Sequence, residues 1–172
     1  SVEEIVAADA VHPVSSVQSE LSLWTEENVV NGVLALTEDR GIGFLAYCPL
    51  GRGFLTGALS SDTIGEGDYR SANPRFTPEA MAANAAIVDG VRAIAERRGV
   101  TAAQVALAWV LAQGDDIVPI PGTTKIANLD SNIDATGITL STDDLAALSN
   151  AVSPDKVAGA RYNEAMSKMA GR

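Results

Sequence analysis

Three short stretches of this 172-residue chain carry side chains that suit a flat, phosphate-bearing ligand. In Val17-Gln18-Ser19-Glu20, Gln18 closes an apolar run. Its carboxamide can hold another planar amide by paired hydrogen bonds, or simply satisfy loop backbone. In "GFLAYCPLGRGFLTG", residues 43–57, Tyr47 stands where the apolar run ends and can offer a ring face worth about 1 kcal/mol in stacking. Leu50 can pack against a ligand, the glycines allow close backbone approach, and Arg52 can grip a phosphate in bidentate fashion. The same passage also reads as a tight turn whose arginine is solvated or paired with an acid. The third stretch is Pro121-Gly122-Thr123-Thr124-Lys125, with Asn128, Ser131 and Asn132 following at helical spacing. It brings hydroxyls, a lysine and backbone N–H groups to what reads as a helix N-terminus, which suits phosphate; an ordinary N-capped helix is the plainer alternative.

Three apolar runs, Val14 to Gln18, Ile42 to Tyr47 and Ile117 to Ile120, read as buried strands that would present these residues at their ends. Helical patterns separate them. Glu3 to Ala10 is one, and Val29, Val30, Val33, Leu34, Leu36 and Thr37 trace another ahead of Gly41. Residues 60–75 form a long polar loop, a candidate binding segment or lid. Thr77 as N-cap, Pro78 and Glu79 in the first turn and a stop at Gly99 predict one helix. Thr101 with Gln104 predicts a second helix, apolar nearly all round, and Ser141 with Asp144 a third; residues 155–170 read as a terminal helix. Strand, loop, helix and strand in this order specify an α/β fold with a parallel sheet faced by helices. Eight such units in about 250 residues close a barrel, so three strands are either part of a barrel or a small open sheet.

Composition narrows the function classes. The formal net charge is -10 and the twelve Lys and Arg residues are scattered, which gives no basic field for nucleic acid or an anionic membrane. One cysteine and one histidine leave no disulfide framework and no zinc site of soft ligands. A reducing compartment is the simpler expectation. No apolar run reaches the roughly 18 to 20 residues of a membrane span, so a soluble, cytoplasmic protein is expected unless a leader precedes the sequence. Neither GxGxxG nor GxxxxGK followed by Ser or Thr is present, which disfavours a doubly wound dinucleotide fold and a nucleotide triphosphatase.

Taken in order, "HPVSSVQSELSLW" (12–24), "AYCPLGRGFLTG" (46–57), "NPRF" (73–76), "VTAAQVALAWVL" (100–111) and "IVPIPGTTKIANLDSN" (117–132) resemble the aldo/keto reductase family over nearly the whole chain. The resemblance implies a (β/α)8 barrel, of which residues 1–172 would be the C-terminal part with the sixth to eighth strands. It also implies an NADPH cofactor lying across the strand ends, with NAD less favoured because Lys125 can meet a 2'-phosphate. It places Gln18 on the nicotinamide carboxamide, Tyr47 on the nicotinamide ring, and Leu50 and Arg52 along the pyrophosphate. Cys48 follows the stacking tyrosine, where the family often has serine. Gly122, Thr123 and Lys125 fall on the 2'-phosphate loop, and Asn128, Ser131 and Asn132 beside the phosphate and adenine. Leu21 stands where a Tyr is common, and Ser131 replaces a frequent glutamate.

The family's catalytic Asp, Tyr, Lys and His lie on earlier strands and match no position here. Neither Tyr47, His12, Tyr69 nor Tyr162 takes their place, so no catalytic residue is expected in this segment. The complete barrel is expected to reduce a small aldehyde or ketone, and the segment alone to be inactive. Its expected partners are the remainder of the barrel or a second copy of the open sheet. A short binding module that has lost the chemistry is the alternative. Arg70, Asn73 and Arg75 either lie over cofactor or substrate or belong to a surface loop.

Overall fold

The computed structural model describes residues 1–152 and 157–169. Three strands, β1 (Ser16–Glu20), β2 (Gly43–Tyr47) and β3 (Ile117–Pro119), form one parallel sheet in the order β1-β2-β3. Among the described residues nine helices accompany them: α1 (Val2–Val11), α2 (Glu27–Val30), α3 (Val33–Asp39), α4 (Pro78–Ala83), α5 (Ala85–Arg98), α6 (Ala102–Leu111), α7 (Ile126–Asp134), α8 (Thr142–Ala151) and α9 (Glu164–Met169). Among the described residues no helix is long and apolar enough to cross a membrane.

The strands depart from the expected ranges for local reasons. Val14 donates its N–H to the Asp9 side chain at 2.9 Å and stays outside the ladder. Pairing starts at Ser16 opposite Gly43 and runs on to Glu20 opposite Tyr47, two residues beyond Gln18. β3 stops at Pro119, which has no N–H for a ladder and is tolerated because β3 is an edge.

The expected helix from Thr77 to Gly99 is two helices. Thr77 does cap the first, accepting from the Ala80 N–H, and Gly99 does end the second. Asn84 divides them because its side chain is committed elsewhere: Nδ2 donates to the Ala158 carbonyl at 2.9 Å and Oδ1 accepts from the Ala158 N–H at 2.8 Å. The face from Val29 to Thr37 is likewise divided between α2 and α3; Val33 and Thr37 are buried, whereas Val29 and Val30 are exposed. The expected terminal helix is confined to Glu164–Met169, residues 157–163 being an irregular strap; residues 155, 156 and 170 lie outside the described residues. The capping boxes at Thr101 and Ser141 form as the sequence requires. Residues 60–75 fold into three short 3-10 turns.

Alternation along the strands separates two sheet faces. Phe44, Ala46 and Ile117 are buried in the main core with Val105, Ala106 and Val110 of α6. The opposite face carries two rows, Gln18-Leu45-Val118 and, at the C-terminal end, Glu20-Tyr47-Ile120. Val118 is 53% and Ile120 41% exposed, so this face is only partly covered. On α7 the apolar residues Ile126, Leu129 and Ile133 are also exposed.

Candidate functional site

The second sequence stretch forms the centre of the site. After β2 the chain turns sharply through Cys48 (φ +50°), Gly51 (φ +56°) and Arg52 (φ +56°), left-handed conformations that non-glycine residues seldom adopt. Gly51 is required for a second reason, since a Cβ there would stand 2.9 Å from the Trp24 ring. The far side of the turn is anchored by Phe54, which stacks on Trp24 at 4.2 Å between ring centroids, and by the fully buried Leu55. Leu50 is half-buried against the same core.

The partner of Arg52 is Glu20. Its Nη1 and Nη2 donate to Glu20 Oε1 and Oε2 at 3.2 and 3.1 Å, a bidentate pair with both side chains largely removed from solvent. Of the alternatives open for this turn, the acid-paired arginine is the one observed: the fork expected on a phosphate holds a carboxylate of the same chain.

Glu20 is completely buried and accepts further bonds from Arg161 Nε at 2.8 Å and the Thr25 hydroxyl at 3.2 Å. Arg161 in turn donates to Glu27 at 3.0 Å and to the Tyr47 hydroxyl at 3.2 Å. The hydroxyls of Tyr47 and Tyr162 are 2.8 Å apart.

Burial, and next the Tyr162 hydrogen bond, push the Tyr47 phenol up to about 12. A phenol so reluctant to ionise is a poor general acid, whereas its ring remains suited to stacking. Burial also pushes the Cys48 thiol up, which disfavours the reactive thiolate.

The strap bearing Arg161 and Tyr162 is held by the "NPRF" segment. Asn73 Nδ2 donates to the Arg161 carbonyl at 3.0 Å. Arg75, 8% exposed, donates to the Trp24 carbonyl and the Thr25 hydroxyl at 2.8 and 2.7 Å and reaches the Gly159 carbonyl at 3.5 Å. Asn73 and Arg75 are therefore buried anchors and belong to no surface loop. Arg70 is held by Asp68 and donates to the Arg52 carbonyl at 3.2 Å, bracing the glycine turn.

Gln18 lies one row below Tyr47 on the same sheet face, is exposed, and makes no side-chain hydrogen bond among the described residues. It lines a cavity of about 490 Å³ shared with Ser1, Glu4, Ser19 and Asn28. The third stretch leaves β3 beside β2, where the Ile120 N–H donates to the Ala46 carbonyl at 3.0 Å. Gly122, Thr123 and Lys125 are exposed, and the Thr123 hydroxyl accepts the Lys125 N–H at 3.1 Å. Among the described residues no side chain caps α7; the Asn128 N–H bonds to the Lys125 carbonyl at 3.1 Å, the Ile126 and Ala127 N–H groups stay open, and Lys125 has no ion pair. Asn128, Ser131 and Asn132 occupy one face of α7, opposite Ile126, Leu129 and Ile133. The structure thus brings Tyr47, Cys48, Leu50 and Arg52 into one turn, sets the α7 group beyond the C-terminal end of the neighbouring strand and Gln18 one row below Tyr47, and shows no side-chain hydrogen bond from Gln18 or Lys125 to that turn among the described residues.

Glu20, Arg161 and Tyr162 were missed by sequence reasoning. Glu20 had a signal, since at two residues after Gln18 it shares that residue's sheet face. Arg161 and Tyr162 had none, being 141 and 142 residues from Glu20 in the chain.

Residues 1–153 match the sequence profile of the aldo/keto reductase family. The chain belongs to this family. An aldo/keto reductase of Glycine max, described as a probable aldo-keto reductase 1, is 44% identical over 162 residues, covering 94% of this chain and 46% of that protein. The glycerol dehydrogenase of Gluconobacter oxydans superposes with a TM-score of 0.80 at 27% identity over 88% of this chain and 46% of that one. A thermostable aldo-keto reductase crystallised with the inhibitor epalrestat shares the fold, with a TM-score of 0.57 at 24% identity over 79% of this chain and 39% of its own. This aldo/keto reductase chain spans about half the length of the curated relative it matches.

Proposed function

We propose that the chain is the cofactor-binding, C-terminal part of an NADPH-dependent carbonyl reductase built on a (β/α)8 barrel. The observation that carries the reading is that Tyr47 to Arg52 and Gly122 to Asn132 leave the C-terminal ends of β2 and β3, where ligands of such sheets bind, with Gln18 one row below Tyr47 on the same sheet face. The exposed apolar residues of β3 and α7 favour a partial barrel, because they mark an edge that further strands and helices would cover.

In this reading Gln18 orients the nicotinamide carboxamide and Tyr47 covers one face of its ring. Gly122, Thr123, Lys125 and the open N–H groups of α7 hold the 2'-phosphate, with Asn128, Ser131 and Asn132 beside the adenine. Lys125 favours NADPH over NADH through its unpaired charge. Cys48, Leu50 and the backbone of Arg52 border the pyrophosphate; the Arg52 guanidinium, tied to Glu20, maintains the turn instead of gripping an oxygen. NADPH supplies the hydride that reaches the carbonyl carbon. The proton for the carbonyl oxygen comes from a group outside these residues, since Tyr47 is held too high to give one.

The test pairs two assays on the purified chain. NADPH fluorescence should change saturably on titration, more tightly than for NADH, while absorbance at 340 nm stays constant when aldehydes or ketones are added. Turnover of a carbonyl substrate by the chain alone would refute the assignment of the acid to other residues.

A further inference from the structure

Tyr47 is the residue that the cofactor reading asks to present a ring, and its position is fixed at the hydroxyl end by the strap. Three groups meet there: the Tyr47 hydroxyl lies 2.8 Å from the Tyr162 hydroxyl and 3.2 Å from Arg161 Nη2, and Arg161 Nε is bonded to the buried Glu20 at 2.8 Å. Two cations lie over the Tyr162 ring, with the Arg161 guanidinium 4.8 Å and the Arg52 guanidinium 5.8 Å from its centroid. Behind the strap stand Asn73, Asn84 and Arg75, so its backbone is clamped at Ala158, Gly159 and Arg161. The side-chain hydrogen bonds of Tyr47 are all made at its hydroxyl, and no aromatic ring among the described residues stacks on a Tyr47 face.

We infer that Tyr162 and Arg161 are positioning residues, a C-terminal latch that sets the Tyr47 ring axis so that its free face receives the nicotinamide ring. The inference rests on the cofactor reading above. The latch also links cofactor binding to the far end of the chain: loosening the strap releases the ring. Glu20 is the common post, because the same carboxylate holds Arg52 in the glycine turn and Arg161 in the strap. One buried acid therefore sets the geometry on both sides of Tyr47.

The test uses Tyr162→Phe, which removes one oxygen and keeps the ring beside its arginines, and Tyr47→Phe, which keeps the stacking ring and removes the other hydroxyl. NADPH and adenosine 2',5'-bisphosphate, which has no nicotinamide, are titrated against the wild-type chain, both variants and the double variant. Each single variant should weaken NADPH by about five- to tenfold, in keeping with partial loss of one aromatic contact, and leave the bisphosphate unchanged. The double variant should lose no more than Tyr47→Phe, which already removes the Tyr162 contact together with the Arg161 bond. Unchanged NADPH affinity in Tyr162→Phe, or an equal loss for both ligands, overturns the latch while leaving the cofactor reading intact. Failure of the folded wild-type chain to bind either ligand overturns both.

Discussion

Glu20 and Arg52, 32 residues apart, form a two-point ion pair in which the carboxylate is fully buried and the guanidinium nearly so. Such a pair adds little net stability over an apolar replacement, but removing one partner leaves an uncompensated buried charge. Glu20→Gln leaves Arg52 and Arg161 facing one another, so it should destabilise the chain by about 3 to 5 kcal/mol. Urea denaturation measures this, and an unchanged midpoint would remove Glu20 from the centre of the site.

Gly159 has φ of +85°, and a Cβ on it would stand 2.6 Å from the Pro74 carbonyl oxygen. Gly159→Ala must therefore push the strap off the "NPRF" segment, at a loss of about 1 to 3 kcal/mol. Trypsin should then cut after Arg161 faster than in the wild-type chain, because the ion pairs that shelter this residue are broken. Equal cleavage rates would contradict the clamp.

Asp144 caps α8 through the Ser141 box and receives Arg97 Nη2 at 2.7 Å and Arg98 Nε at 2.7 Å. Burial alone would raise its carboxyl, but the bonds from Ser141 and the two arginines outweigh that and hold it at about 2. A lowered folded-state value stabilises the fold above the unfolded pKa near 4, and this contribution declines below that pH and is lost as pH falls through about 2. Both arginines are partly solvated, so Asp144→Asn should lose about 1 to 2 kcal/mol at pH 7 and no more than about 0.5 kcal/mol near pH 2. Denaturation curves at the two pH values supply the comparison.

Glu26 behaves oppositely. Its Oε1 is buried without a partner among the described residues, and desolvation pushes the carboxyl up to about 7. A carboxyl raised in the folded state favours folding below the unfolded pKa and loses that advantage as pH rises through 7. Glu26→Gln should therefore stabilise the chain by about 1 kcal/mol at pH 8, after allowance for solvent screening, and leave it unaffected at pH 4. A constant difference across that range would contradict the assignment.

The sequence carried the three strands, within two or three residues, and the local helix signals because these depend on neighbours: Thr77, Thr101 and Ser141 cap as their spacing requires. It did not carry the break at Asn84, whose cause is the Ala158 backbone 74 residues away, nor the strap, whose partners lie in five other segments, at Glu20, Glu27, Tyr47, Asn73 and Asn84. The same distinction holds in the site. Tyr47 and Lys125 were visible from type and position, whereas the partner of Arg52 depended on two strands being in register.

The central claim is that this chain holds NADPH with the 2'-phosphate at Lys125 and the open end of α7. Fluorescence titration of NADPH against the wild-type chain and Lys125→Ala tests it most directly. The account predicts saturable binding by the wild type and about tenfold weaker binding by the variant, with NADH affinity the same in both. A folded wild-type chain that does not bind NADPH, or a variant that binds it equally well, would contradict the account.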